Sequence, residues 1–167
     1  GTMEPRKNIP FLVEAFEKLT DFDGELVIAG MFGWKYEPIL RKIIRSPRAN
    51  RIRHLEYVNE QFLPALYAGA ELFVYPSLYE GFGFPPLEAM ACGTPVVSST
   101  GGSLPEVLGD AAEFVSEYDS DAWAATIRRL LGNPARRAEL IQKGAEQVKK
   151  YSWDEKERKT WDLYRSL

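Results

Sequence analysis

The sequence has 167 residues, of which 45% are apolar and 27% are charged, and this predicts one ordinary soluble domain over residues 1–167. A net charge of −3 argues against a nucleic-acid binder, because such proteins carry a basic surplus. Cys92 is the only cysteine and there is one histidine, so an internal disulfide is excluded and a zinc site is not expected. No apolar run approaches the roughly 20 residues of a membrane helix. No signal-peptide pattern opens the chain, and we therefore expect a cytoplasmic protein.

The first half of the chain alternates between helix and strand patterns. Apolar residues at helical spacing predict a helix over residues 9–19, with Asn8 as its cap. Asn59 is the predicted cap of a later helix, whose apolar face includes Phe62. The other predicted elements of this half are strands at 25–30, 52–55 and 71–75 and a helix at 36–45.

The second half continues this alternation and then becomes helical. A short helix begins at Pro85 and stops at Gly93. The predicted elements after it are strands at 94–99 and 113–115 and helices at 104–108, 119–131, 134–150 and from 152 onward. Such alternation predicts an α/β domain with a Rossmann-like parallel sheet and helices on both faces. Trp153 and Trp161 are expected to pack in the core, with some apolar surface of the last helix left exposed.

The beginning of the chain does not fit this alternation. In such a fold, Gly1 and Thr2 have the position of a strand exit. We expect either that the first strand is truncated because the chain is cut from a longer protein, or that these two residues are a remnant of cloning before Met3.

The segment between the strand at 71–75 and the following helix has the features of an anion site. Gly81 and Gly83 allow the backbone to approach a ligand closely. The first turn of the next helix adds free N–H groups and the positive end of the helix dipole. Two carboxylates flank this place, Glu80 before the glycines and Glu88 in the first helical turn.

Adjacent cations in another strand-end loop suit the same ligand. Ligands of open parallel sheets bind at the carboxyl ends of the strands, where we also place Arg6 and Lys7. Cations that meet a helix N-terminus suit a diphosphate. Glu88 is a candidate acceptor for ribose hydroxyls.

Four motifs in this order closely resemble glycosyltransferase family four, whose members are retaining enzymes of the GT-B fold. The central one is residues 76–97, in which Glu80 and Glu88 are separated by seven residues. The other segments that resemble the family are residues 1–8, 55–58 and 103–109. Together they extend over essentially the whole chain and imply the nucleotide-sugar donor domain, the C-terminal half of a GT-B enzyme.

This resemblance implies roles for particular residues. Lys7 and Glu80 are the candidate catalytic residues. Lys7, with Arg6, contacts the donor diphosphate, and Glu80 contacts hydroxyls of the transferred sugar. The full set implied to bind the donor is Arg6, Lys7, Val58 through its backbone to the base, Glu80, Gly81, Phe82, Gly83, Phe84 and Glu88 at the ribose. Two positions depart from the family pattern, because Thr2 stands where many members have arginine and Glu56 where they have glycine.

The resemblance also implies a reaction and its partners. The reaction is retaining transfer of a hexosyl group, with GDP-mannose as the suggested donor, to a glycan or lipid acceptor, and it needs no metal or other cofactor. The acceptor site belongs to an N-terminal domain supplied in cis or in trans, and the full-length protein is expected at the inner face of the membrane. The alternative is a catalytically inactive nucleotide-sugar-binding or interaction module that pairs with a separate N-terminal domain.

Other residues have structural interpretations that compete with a functional one. We predict that His54 is structural, that Cys92 is a small core residue rather than a nucleophile, and that Trp34 packs rather than bordering a sugar pocket. For residues 101–103, a simple turn and a donor contact stay open.

Overall fold

Short strands alternate with helices in the computed structural model, which describes residues 1–166, with the side chains of 153–155 outside the description. The helices are α1 Ile9–Glu17, α2 Glu37–Arg45, α3 Leu63–Ala68, α4 Phe84–Ala91, α5 Leu104–Leu108, α6 Ser120–Leu131, α7 Pro134–Lys149 and α8 Trp153–Ser166. The strands are β1 Leu26–Ala29, β2 Ile52–Leu55, β3 Phe73–Tyr75, β4 Val96–Ser98 and β5 Ala112–Phe114. Each predicted element is present, with ends that differ by a few residues.

All the strand pairs are parallel, as predicted, but the described strands form two hydrogen-bonded sheets. One contains β1 and β2, and the other has the order β3-β4-β5. The first residues of the chain run between the carboxyl ends of these sheets. Met3 N donates to Met31 O over 2.8 Å, just beyond β1, and Leu78 N, just beyond β3, donates to Arg6 O over 2.8 Å. Residues 3–6 therefore tie the two sheets together at the edge where parallel folds bind ligands.

Helices cover both faces of the second sheet. Val96 and Val97 are adjacent in β4 and both are fully buried, and they face opposite sides because side chains alternate along a strand. Val96 packs with side chains of α4 and α5, whereas Val97 packs with side chains of α1, α6 and α7. This confirms the expected α/β architecture with helices on both faces.

Two local predictions at helix starts are wrong in detail. Asn8 stands at the N-cap position of α1, directly after a short 3-10 turn, Pro5–Lys7, but it has a left-handed backbone (φ 54°) and its side chain makes no capping bond. Phe62 is 59% exposed rather than turned inward. It ends a 3-10 turn, Glu60–Phe62, whose tighter winding rotates it away from the half-buried face of α3, which carries Leu66 and Tyr67.

Two tryptophans predicted to pack are instead exposed. Trp34 is 69% exposed, because the loop turns at Lys35 (φ 54°), whose ammonium lies 4.2 Å from the centre of the indole ring. Trp161 is 57% exposed on α8, so the prediction of core packing there is wrong, and Trp153 lies outside the described side chains. Apolar surface on the last helix is exposed, as expected. Within residues 1–166, no helix has the length and apolar character to cross a membrane.

Candidate functional site

The glycine loop leads into α4 as the sequence predicts. Gly83 precedes the helix with φ 107°, a left-handed conformation that favours glycine, and Pro85 and Pro86 lie in the first turn. Gly93, with φ 76°, stands just beyond the C-terminal end of α4. The N-terminus of α4 and the loop before it therefore present backbone N–H groups without helical partners.

Glu80 is a buried carboxylate held by two cations and a phenol. Its residue is only 7% exposed. Oε1 accepts hydrogen bonds from Lys7 Nζ at 2.7 Å and from the Tyr75 hydroxyl at 2.9 Å. Oε2 accepts from Arg6 Nη1 at 2.8 Å. Arg6 and Lys7 are thus ion-pair partners of a buried carboxylate rather than unpaired loop charges.

The short turn before α1 brings the cations to this carboxylate. Pro5–Lys7 forms a 3-10 turn, and Arg6 O accepts the hydrogen bond from Leu78 N, in the loop that carries Glu80. Glu4 adds a second carboxylate, 3.0 Å from Arg6 Nε. The site is therefore assembled from residues more than 70 positions apart.

The surroundings of Glu80 keep it charged. Burial by itself would raise the pKa of its carboxyl, but hydrogen bonds from Lys7 and Tyr75 outweigh that effect, and the pKa lies below its ordinary value. Burial has the largest effect on the Tyr75 hydroxyl and raises its pKa, and the negative charge of Glu80 raises it further. At neutral pH the cluster therefore contains a carboxylate, a protonated phenol and two cations.

This pKa shift predicts a pH dependence of stability. Because the folded-state pKa of Glu80 is depressed, the contribution of its carboxylate to stability is fully present above the ordinary carboxyl pKa and is lost as pH falls below that pKa and through the folded-state pKa. Urea denaturation should show that the stability difference between wild type and Glu80→Gln shrinks as pH falls through these two pKa values. A difference that stays constant would contradict the assigned shift. Glu113→Gln is the positive control and should show the same trend, since Glu113 also has a lowered pKa, beside Arg129 and Arg136.

Glu88 lies in a different environment from Glu80. It is exposed on the second turn of α4, so its predicted place in the first turn is wrong, because the helix begins at Phe84. The Tyr67 hydroxyl donates to Glu88 Oε2 over 2.8 Å. Burial and the neighbouring Glu88 raise the pKa of Tyr67, which keeps that hydroxyl a donor.

Val58 borders an open groove at the carboxyl end of β2. The other residues that line it are His54, Leu55, Glu56, Tyr57, Asn59 and Phe62. His54 Nε2 lies 2.8 Å from Gly30 O, an arrangement that agrees with a structural role. The groove opens at the same edge of the fold as the glycine loop, because both follow parallel strands.

Residues 101–103 hold the backbone of Glu80. Gly102 has φ 65°, and a Cβ there would overlap the Glu80 carbonyl oxygen. Ser103 N donates to that oxygen over 3.0 Å, and Ser103 Oγ lies 3.1 Å from both Glu80 O and Phe82 O. This segment is thus more than a simple turn, because it fixes the start of the glycine loop.

The remaining loop residues differ in exposure. Gly81 is exposed and a Cβ there would meet no atom, whereas Phe82 is partly buried against Tyr151. Phe84 is 55% exposed, with its ring centre 4.7 Å from that of Phe82. Cys92 is partly buried at the end of α4, and burial raises the pKa of its thiol, which argues against a nucleophile.

Sequence reasoning did not single out Tyr75 and Tyr67 as site residues. The only available signal was position, since Tyr75 ends a predicted buried strand directly before the glycine loop. Their hydrogen bonds depend on how distant segments pack. In the described part of the chain, no group of three or more His, Cys, Asp or Glu is placed to hold a metal ion, and independence from metals stays a prediction.

Parallel strands covered on both faces, with this loop at their carboxyl ends, define the Rossmann-like C-terminal half of a GT-B glycosyltransferase fold. A family model described as glycosyl transferases group 1 matches residues 1–147. The chain therefore belongs to the glycosyl transferases group 1 family.

Individual relatives agree with this family. An O-antigen chain mannosyltransferase B of Escherichia coli is 44% identical over 170 residues, which include 100% of this chain and 45% of that relative. The sucrose-phosphate synthase of Thermosynechococcus elongatus is similar with a TM-score of 0.90 and 30% identity, over 100% of this chain and 44% of the other. Anabaena HepE, solved in complex with UDP, has a TM-score of 0.89, 19% identity and coverage of 100% and 47%. The chain thus spans less than half the length of these relatives.

Proposed function

We propose that this chain is the donor-binding domain of a retaining glycosyltransferase of family four, which transfers a hexosyl group from a nucleoside diphosphate sugar. The observation that carries the proposal is the cluster of Lys7, Arg6 and Glu80 beside the glycine loop. In this cluster, cations that suit a diphosphate lie beside a carboxylate that can accept hydrogen bonds from a sugar, and both are close to the N-terminus of a helix.

The donor spans the site in this proposal. The diphosphate contacts Lys7 and Arg6 and the amides of residues 81–84, since both groups supply positive potential to the same oxygens. Glu80 accepts hydrogen bonds from the sugar. Glu88, exposed and already oriented by Tyr67, accepts them from the ribose. The base enters the groove at Val58 and contacts its backbone.

Catalysis in this proposal is mainly stabilisation of the leaving group. Lys7 offsets the charge that develops on the departing diphosphate, and its fixed position means that little reorganisation is needed during the reaction. The acceptor attacks from the face that the diphosphate leaves. Glu80 is not assigned as a nucleophile in this proposal, because hydrogen bonds from Lys7, Tyr75 and Arg6 stabilise its negative charge, and its role is to accept hydrogen bonds from the sugar.

Mannose is the proposed sugar and GDP the proposed nucleotide. Support for mannose comes from the mannosyltransferase of Escherichia coli, at 44% identity. The UDP complex of HepE supports a nucleoside diphosphate as a ligand of this fold. No metal or other cofactor takes part.

The acceptor site is proposed to belong to an N-terminal GT-B domain, in cis or in trans. The full-length enzyme would then act on a glycan or lipid at the cytoplasmic face of the membrane. The 167-residue chain alone should bind nucleotide but transfer sugar poorly. Robust sugar transfer by this chain alone would refute the proposal that the acceptor site belongs to another domain. A complete enzyme that binds the donor without transferring sugar would favour the inactive binding module instead.

Calorimetry with GDP, UDP and ADP tests the proposed function. At least one of them should bind wild type, and Glu88→Ala should weaken that binding by about ten-fold, the loss expected for hydrogen bonds to a charged group. Glu146→Ala, which removes an exposed carboxylate on α7, is the matched control and should bind like wild type. If none of the three binds wild type the proposal fails, and if Glu88→Ala binds normally the ribose contact fails.

A further inference from the structure

We propose that Tyr75 is a positioning residue, which orients Lys7 and Glu80 so that each keeps one hydrogen-bonding position free for the donor. This inference rests on the proposed function, because it concerns the same site. It extends the site to a residue in β3, beneath the glycine loop. Tyr75 acts through its two charged neighbours and needs no contact with the donor.

Three polar atoms form a closed triangle at the centre of the cluster. Lys7 Nζ lies 2.6 Å from the Tyr75 hydroxyl oxygen and 2.7 Å from Glu80 Oε1. The third side, between the Tyr75 hydroxyl and Glu80 Oε1, is 2.9 Å. Tyr75 itself is 8% exposed. Each atom in the triangle therefore has its position set by the other two.

The chemistry of the three groups decides the direction of every hydrogen bond. An ammonium has only donors, so the phenol oxygen accepts from Lys7 and its single proton is donated to Glu80. Burial and the charge of Glu80 raise the pKa of the hydroxyl, which keeps that proton in place. Tyr75 therefore accepts from the cation and donates to the anion at once, which neither a phenylalanine nor an ionised group can do.

This arrangement leaves defined positions open on both charged groups. Lys7 has three N–H donors, of which one points to Tyr75 and one to Glu80. The third is available to a phosphate oxygen. On Glu80, Tyr75 and Lys7 both bind Oε1, whereas Oε2 accepts from Arg6, and we assign the second lone pair of Oε2 to a sugar hydroxyl.

The ring of Tyr75 is held independently of its hydroxyl. It packs in the apolar cluster that includes Leu87 and Met90, and its centre lies 5.7 Å from that of Phe73. Tyr75→Phe therefore removes the hydroxyl while keeping the ring and its packing. The effect of this substitution on ligand binding can be separated from an effect on folding.

The experiment measures dissociation constants for a nucleoside diphosphate and for its sugar. The probes are GDP with GDP-mannose, UDP with UDP-glucose and ADP with ADP-glucose, and the pair that binds wild type is used. Tyr75→Phe should weaken binding of the nucleotide sugar by about ten-fold, with a smaller loss for the diphosphate alone. For the diphosphate alone, Tyr75→Phe disturbs only the contact with Lys7. For the nucleotide sugar, it also disturbs the contact between the sugar and Glu80.

Coupling to Glu80 separates positioning from a merely structural role. In the Glu80→Gln background, Tyr75→Phe should change the affinity for the nucleotide sugar by less than about three-fold, because residues that act together give non-additive effects. The control is Tyr118→Phe, which removes a hydroxyl that donates to Ser77 O and should leave the affinities unchanged. The melting temperature of each variant is recorded alongside.

Each outcome decides between the inference and its alternatives. Equal losses in the wild-type and Glu80→Gln backgrounds, or a Tyr75→Phe variant that binds like wild type, overturn the positioning role. A lower melting temperature with unchanged affinities also overturns it. If wild type binds none of the six probes, the proposed function fails, and that result is distinct from any failure at Tyr75.

Discussion

Lys7→Met should weaken nucleoside diphosphate binding by about 100-fold, since truncating one partner of a buried, hydrogen-bonded charge pair has effects of about 2–5 kcal/mol. Methionine keeps an unbranched apolar stem, with sulfur in place of one methylene, and lacks the ammonium. That ammonium contacts Glu80 and Tyr75 in the free protein, and its third N–H is available to the diphosphate. Calorimetry with the nucleotide that binds wild type measures the loss.

The same substitution also changes stability, and a second variant separates the two effects. Without Lys7, Glu80 is a buried carboxylate with one cation fewer, and the expected loss is about 3 kcal/mol of unfolding free energy. Adding Glu80→Gln should recover much of that stability without restoring the nucleotide affinity. Lys42→Met, which removes a cation paired with Glu17 at 3.1 Å, should bind like wild type. If Lys7→Met keeps the wild-type affinity, its role at the diphosphate is refuted.

Gly102→Ala is expected to destabilise the domain by about 3 kcal/mol, the sum of a left-handed backbone and an overlap in a packed region. The backbone at Gly102 has φ 65°, and the added methyl group would overlap the carbonyl oxygen and the nitrogen of Glu80. Relief of the overlap requires the backbone of Glu80 and residues 101–103 to move apart, and a shift of Glu80 disturbs its contact with Lys7. Nucleotide affinity should therefore fall together with stability.

Gly81→Ala is the matched control in the same loop. A Cβ on Gly81 meets no atom within 4 Å, so the change in unfolding free energy should stay within about 1 kcal/mol. Urea denaturation of the two variants makes the comparison. Equal stabilities for Gly102→Ala and Gly81→Ala would show that the contact between Gly102 and Glu80 does not constrain the loop.

The order and type of the secondary-structure elements could be predicted because local patterns determine them. The strand over residues 52–55 was predicted with the bounds of β2, and the short helix after the glycine loop follows from its prolines and from Gly93. The meeting of Lys7 with Glu80 at one edge was also predictable. It follows from a rule of topology, since parallel strands bring their carboxyl ends together.

Details that depend on packing were not predictable in the same way. The side chains of Trp34 and Trp161 are apolar and so favour burial, but their exposure depends on which residues pack beside them in the folded chain. The sequence places Lys7 and Glu80 at the same edge, and only the folded chain shows that the Glu80 carboxylate is hydrogen-bonded directly to Lys7 and Arg6. Tyr75 was missed for the same reason, because a strand residue gives no local sign of its hydrogen-bonding partners.

Because residues 3–6 join the two sheets, the candidate site depends on how these sheets pack together. Arg6 and Lys7 follow directly on the segment that pairs with the β1 end, while Glu80 and Tyr75 belong to the other sheet. Local opening that broke the hydrogen bond between Leu78 N and Arg6 O would move the cations away from the carboxylate and disrupt the site. Under the proposed function, donor binding therefore depends on how the two sheets pack together. A bound donor would in turn stabilise that packing.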